Sequence, residues 1–160
     1  MDILVGVSDM KISNNPRATI VTYSLGSCIG ITIFDPVACV GGLLHFQLPD
    51  SALNPRNAQR DPCRYADTAI PAFFRTAYRL GARKRRLKVV VTGGANLMDE
   101  KSHFDIGRRN YLAARKLFYQ NNVLTDFEDI GGGSYRTVRL ELESGRTIIT
   151  GPSRRGPLCV

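Results

Sequence analysis

A chain of 160 residues suits one hydrophobic core. With 43% hydrophobic and 22% charged residues it is neither a disordered tail nor a fibrous repeat, and no stretch approaches the roughly 18 unbroken apolar residues of a membrane span. Lys and Arg number 22 against 14 Asp and Glu, a formal charge of +8, which favours acidic partners without choosing among nucleic acid, anionic membrane and acidic protein surfaces.

At the N-terminus Asp2 stands where a signal peptide would carry Lys or Arg, so export is not expected. Ile3 to Ser8, Ala18 to Tyr23, Ile29 to Phe34 and Val40 to Leu48 are rich in Val, Ile and Thr between Gly, Pro, Asn and Asp, and read as strands of a β meander. Asp61-Pro62 then reads as a helix start. Ala66, Ala69, Ile70, Phe73, Ala77 and Leu80 recur at helical spacing until Gly81, with Pro71 expected to bend the helix or shift its start. Arg83 to Lys88 is a basic run read as a solvated loop. Leu87 to Val91 follows as a strand, and Gly93-Gly94-Ala95 as a loop. A second helix is expected around Gly107 to Gln120. Val138, Leu140 and Leu142 then alternate with polar residues, and the chain returns through Ser144-Gly145 as a hairpin. These elements predict an α+β layered sandwich with a mixed, mostly antiparallel sheet and two main helices. One domain is expected over residues 1–150, with 151–160 a flexible tail.

The four cysteines, Cys28, Cys39, Cys63 and Cys159, have neither disulfide-scaffold nor C-x-x-C spacing and read as free thiols, Cys39 and Cys63 as structural ones. No paired-ligand spacing supports a zinc site, and no cofactor is implied. Only His45 and His103 offer an imidazole. Strand alternation puts Leu44, Phe46 and Leu48 on one face and Leu43, His45 and Gln47 on the other. In the preceding strand Ile29, Ile31 and Ile33 oppose Cys28, Gly30 and Thr32. Cys28 and His45 are thus expected on neighbouring strands, both away from the most apolar face, with Cys28 at a loop-to-strand junction among small residues. Taken alone, such a thiol and imidazole also fit a packed core. His103, in a polar stretch, reads as an exposed loop residue.

Thr22-Tyr23-Ser24-Leu25-Gly26-Ser27-Cys28-Ile29-Gly30, with His45-Phe46-Gln47-Leu48-Pro49, resembles the CheD family of chemoreceptor glutamine deamidases. Further stretches fall in the family's order: Arg64-Tyr65-Ala66-Asp67, Gly93-Gly94-Ala95 with Met98, Ile106-Gly107-Arg108-Arg109-Asn110, and Asp129-Ile130-Gly131-Gly132 with Arg136. Thr92, Val90 and Pro71 depart from the family's usual pattern. The resemblance implies a cytoplasmic amidohydrolase with Cys28 as nucleophile, His45 as base and Thr22 orienting the imidazole. Backbone N–H groups around Gly26, Ser27 and Cys28 are the candidate oxyanion donors. The implied substrate is a glutamine on a chemoreceptor's cytoplasmic helices, with receptor methylester cleavage as a side activity and the CheC phosphatase as a second partner. Nucleic acid is not expected, because the basic run lacks interleaved aromatics. The alternative from another class is a non-catalytic chemotaxis adaptor that binds receptors or CheC.

Overall fold

Seven consecutive residues in each of two strands, Ile29–Asp35 and Val40–Phe46, are buried without exception, which requires a sheet covered on both faces. The structure, a computed structural model, describes residues 1–97 and 105–160. Its strands, in chain order, are β1 (Asp2–Leu4), β2 (Asp9–Ser13), β3 (Thr19–Leu25), β4 (Ile29–Asp35), β5 (Val40–Phe46), β6 (Lys88–Gly93), β7 (Phe127–Ile130), β8 (Arg136–Glu141), β9 (Thr147–Thr150) and β10 (Leu158–Cys159). The helices are α1 (Pro55–Arg60), α2 (Ala66–Arg79) and α3 (Ile106–Gln120). Among the described residues the strands form two five-stranded sheets, ordered β1-β3-β8-β9-β10 and β2-β5-β4-β6-β7. Pairing is antiparallel except for β1 with β3 and β6 with β7.

The second sheet is the middle layer of an α+β sandwich. Ile29, Ile31, Ile33, Leu44, Phe46, Val89 and Val91 face α2 and α3, where they meet Ile70, Phe73, Phe74 and Phe118. Phe34, Leu43 and Val90 point the other way and pack on Ile20, Leu25, Val138, Leu140 and Ile149 of the first sheet. Two buried polar contacts also join the sheets, Thr32 with Thr147 and Thr22 with His45, each at 2.8 Å. Hydrophobic alternation therefore separates the faces of β4 and β5 as the residue pattern requires.

The structure departs from the residue pattern in several places. The first third is not a meander: β3 and β4 belong to different sheets, and β1 ends at Leu4 while a separate strand, β2, pairs antiparallel with β5. Asp61-Pro62 opens only a short 3-10 turn, and α2 starts at Ala66, with Pro71 accommodated inside it. The cap-and-proline signal belongs to α1, where the Asn54 side chain accepts the Asn57 N–H and Pro55 begins the helix. The basic run is a 3-10 turn rather than a plain solvated loop, because Arg86 folds back onto buried Asp35. Cys39 is exposed. Within residues 151–160, read as a tail, Leu158–Cys159 form β10 against β9, and Val160 and Thr147 exchange both backbone hydrogen bonds at 2.9 Å.

Candidate active site

The site lies where β4 begins and β5 ends. Pairing places Gly30 opposite His45 and Ile29 opposite Phe46, where the ladder ends, with Cys28 and Gln47 the next residues on the two chains. Gly30 and His45, paired across the ladder, turn toward the first sheet, and Cys28, in the bend just before β4, packs against the same inter-sheet cluster. Cys28 is half-buried against the inter-sheet cluster and His45 is fully buried.

Thr22 reaches the same face from the opposite sheet. Ile20 and Thr22 point inward along β3. A bulge between Thr22 and Leu25, with Ser24 in the left-handed region at φ 55°, turns Leu25 inward before the chain crosses to β4. The Thr22 hydroxyl donates to the carbonyl of Val5 at 2.8 Å and contacts His45 Nδ1 at 2.8 Å. A hydroxyl has one proton, and a carbonyl only accepts, so that proton is committed to Val5. Nδ1 must therefore carry the hydrogen and donate it to Thr22 Oγ1. Nε2 is left bare, an acceptor, and it has no hydrogen-bond partner among the described residues.

Burial sets both ionisation states. Desolvation lowers the His45 pKa to about 4, against a smaller upward pull from the Asp9 carboxylate on the adjoining strand. Burial also raises the Cys28 thiol, partly offset by its own backbone N–H, which faces the sulfur. At neutral pH the two groups are therefore a neutral imidazole and a neutral thiol, not an ion pair.

The loop carrying Cys28 is held from behind by its carbonyls. Gly26 O accepts from Ala95 N–H at 2.9 Å, Cys28 O from Gly94 N–H at 2.9 Å, and Ser27 O from the Asn110 side-chain amide at 3.0 Å. This accounts for the paired glycines at the end of β6. At Gly93, φ is +113° and a Cβ would come within 2.3 Å of Cys28 O, so a side chain there would displace the thiol loop. Gly107, in the first turn of α3, lies so close to the same strap that a Cβ would meet Gly94 O and Ala95 O at 2.5 Å.

Of the residues singled out from the sequence, the structure brings Thr22 to His45 directly and sets Cys28 on their face, with Gly26 and Ser27 in the adjoining loop. His103 and Met98 lie outside the described residues. Sequence reasoning missed Asn110 as a site neighbour. Its signal was a polar residue on the buried stripe of α3, aligned with Gly107, Ala114 and Phe118. Among the described residues no group of three or more His, Cys, Asp or Glu is placed to hold a metal ion, and no helix is long and apolar enough to cross a membrane.

These relationships define a layered α+β protein with a thiol and an anchored imidazole at one end of its central strands. The chain belongs to the CheD family, whose description, CheD chemotactic sensory transduction, matches residues 47–151. It is 47% identical over 157 residues to a probable chemoreceptor glutamine deamidase CheD 1 of Syntrophus aciditrophicus, covering 98% of this chain and 97% of the relative. It is 46% identical over 144 residues to a probable chemoreceptor glutamine deamidase CheD of Solibacter usitatus, covering 90% and 85%. A probable chemoreceptor glutamine deamidase CheD 2 of Anaeromyxobacter dehalogenans is 45% identical over 156 residues, covering 98% of each chain.

Proposed function

We propose that this protein is a cysteine-dependent glutamine deamidase of chemoreceptors, working in the cytoplasm on the receptors' signalling helices. The observation that carries the reading is the single-tautomer histidine: Nδ1 is committed to Thr22, and the buried Nε2 is left as an unpartnered acceptor, free to take a proton. Nε2 takes the Cys28 proton as the sulfur adds to the carboxamide carbon, giving a tetrahedral oxyanion. The oxyanion is received by backbone N–H groups of Ser27 and Cys28. These peptides are trans, and with the Gly26 and Ser27 carbonyls drawn toward the β6 strap and α3, their N–H groups point the opposite way. The imidazolium then protonates nitrogen, ammonia leaves, and a thioester remains. A water gives its proton to Nε2 and adds to the thioester. Collapse expels the sulfur, which recovers the proton, and the side chain is now glutamate.

Proton delivery decides the outcome, since a thiolate leaves a tetrahedral adduct far more readily than an amide anion does. An imidazolium whose pKa is about 4 is a strong acid for that task. A glutamyl methyl ester passes through the same kind of intermediate and is proposed as a secondary substrate. The CheC phosphatase is a proposed partner.

The test is incubation of a glutamine-bearing receptor cytoplasmic fragment with the protein, following ammonia and mapping the mass gain of deamidation to individual glutamines. Binding of the fragment without ammonia release would replace this reading by that of a non-catalytic adaptor. Thr22 supplies a second prediction. Thr22→Val keeps shape but strands Val5 O and His45 Nδ1, so it should lower kcat about 10- to 100-fold and stability by about 1–3 kcal/mol. Steady-state kinetics and urea midpoints check both.

A further inference from the structure

Past Ile29 and Phe46 the β4–β5 ladder stops, and the two chains diverge into the thiol loop and the Gln47-Leu48 segment. Two backbone carbonyls on either side of that fork, Ser27 O and Gln47 O, are held by one side chain. Asn110 Nδ2, fully buried on α3, donates to Ser27 O at 3.0 Å and to Gln47 O at 2.8 Å. Both acceptors are carbonyls, so the amide orientation is fixed: nitrogen faces the fork. Its Oδ1 is buried and has no partner among the described residues. A buried amide that leaves its own oxygen unpaired is costly to keep, and an apolar residue would suit this stripe of α3 better by packing alone.

We infer that Asn110 is a positioning residue for the deamidation proposed above. It fastens the loop bearing the nucleophile to the end of the strand bearing the base, and it aims the Cys28 N–H at the oxyanion. The second part follows from peptide geometry. In a planar trans peptide the Cys28 N–H is antiparallel to the Ser27 carbonyl, so holding that carbonyl on α3 holds the N–H on the side away from α3. An adduct on that sulfur develops its oxyanion beside this donor. The fork requires two N–H bonds from one small neutral group; Leu at 110 supplies none, and Ser supplies one.

The experiment separates oxyanion alignment from simple structural support. Wild type, Asn110→Leu and Asn110→Ser are compared for ammonia release from the receptor fragment, for thermal midpoint, and for alkylation of Cys28 by iodoacetamide read at the Cys28 peptide by mass. The peptide-level readout is needed because Cys39 and Cys159 are exposed. Alkylation is a displacement that builds no oxyanion at the protein. The expected result for Asn110→Leu is a kcat about 100-fold lower with KM changed little, as for loss of one oxyanion donor, while alkylation of Cys28 stays within a few-fold of wild type. Asn110→Ser should fall between, and it serves as the variant of record if the leucine chain does not fold. Unchanged kcat in the variants, or kcat and alkylation falling in step, would overturn this inference alone. A wild-type protein that releases no ammonia would overturn the deamidase reading and this inference with it.

Discussion

Cys28→Ala is expected to lower ammonia release by about 10⁴-fold or more while leaving receptor binding intact, because in the proposed mechanism the sulfur both makes and breaks the only covalent bond to the substrate. The accompanying pH profile is the sharper test of how the pair works. With His45 held down to about 4 by burial and the thiol raised, the active form is imidazole plus thiol over the neutral range. For wild type, kcat/KM should therefore stay level as the pH falls from neutrality to about 5, then drop along a limb centred near the pKa of free His45, at about 4. A pre-formed thiolate–imidazolium pair would behave differently, its alkaline limb marking loss of the imidazolium proton. An acid limb centred near the ordinary histidine value of about 6.5 would mean that His45 is solvated during turnover and that the neutral-pair account is wrong. Acid also acts on the fold. An imidazole whose pKa is lower folded than unfolded binds fewer protons in the native state, so stability falls as the pH drops from about 6.5 toward 4, by up to about 3 kcal/mol. Initial rates at low temperature keep the two effects apart.

The site was legible where one residue's chemistry coincided with strand alternation. Cys28 and His45 could be placed on one face because Ile29, Ile31 and Ile33 and Leu44 and Phe46 mark the other so clearly, and those residues do pack against the helices. Thr22 has no such marker. Its meeting with His45 depends on two sheets closing on each other, a relation between residues 23 positions apart that alternation within one strand does not encode. The crossing of β3 into a different sheet from β4 was hidden for the same reason. Tight sequence spacing suggests neighbours in one sheet, whereas the bulge at Ser24 and the small residues Gly26 and Ser27 allow the chain to change layers. Asn110 was visible only as a polar interruption in an apolar stripe. Nothing local says that its partners would be the carbonyls of Ser27 and Gln47, 83 and 63 positions away. Short edge strands were the other loss. β7 and β10 have four and two residues, and their pairing comes from the sheet edge they meet rather than from any propensity of their own.

Asp35→Asn is expected to destabilise the protein by about 3–5 kcal/mol, lowering the thermal midpoint by about 10 °C, with kcat unchanged at temperatures where the variant is folded. Asp35 ends β4 with no solvent-accessible surface and is the hub of a charged knot. Its Oδ1 accepts the N–H groups of Val37 and Ala38 at 2.9 and 3.0 Å, and its Oδ2 accepts that of Arg83 at 2.8 Å. The Arg86 guanidinium closes on both oxygens, with Nε at 2.9 and 3.0 Å and Nη2 at 2.8 Å from Oδ2. The knot ties the β4–β5 turn to the turn entering β6, so it holds the far ends of the three strands whose near ends carry the candidate active site. Seven residues of strand, about 20 Å, separate it from Cys28, which is why rate and stability should part company here. Burial alone would raise the Asp35 carboxyl, but Arg86 and the three backbone N–H groups outweigh it and hold the pKa at about 2. A carboxylate whose pKa is lower folded than unfolded contributes stability that is complete above its unfolded value of about 3.8 and is lost as the pH falls through about 2. The stability difference between wild type and Asp35→Asn, measured by urea unfolding, should thus be constant from neutrality down to about pH 4 and narrow, by about 2 kcal/mol, as the pH approaches 2. His45 titrates identically in both proteins and cancels from the difference. A gap that narrows already between pH 6 and 5 would show that the Asp35 carboxyl is not held near a pKa of 2 and would overturn this account of the knot.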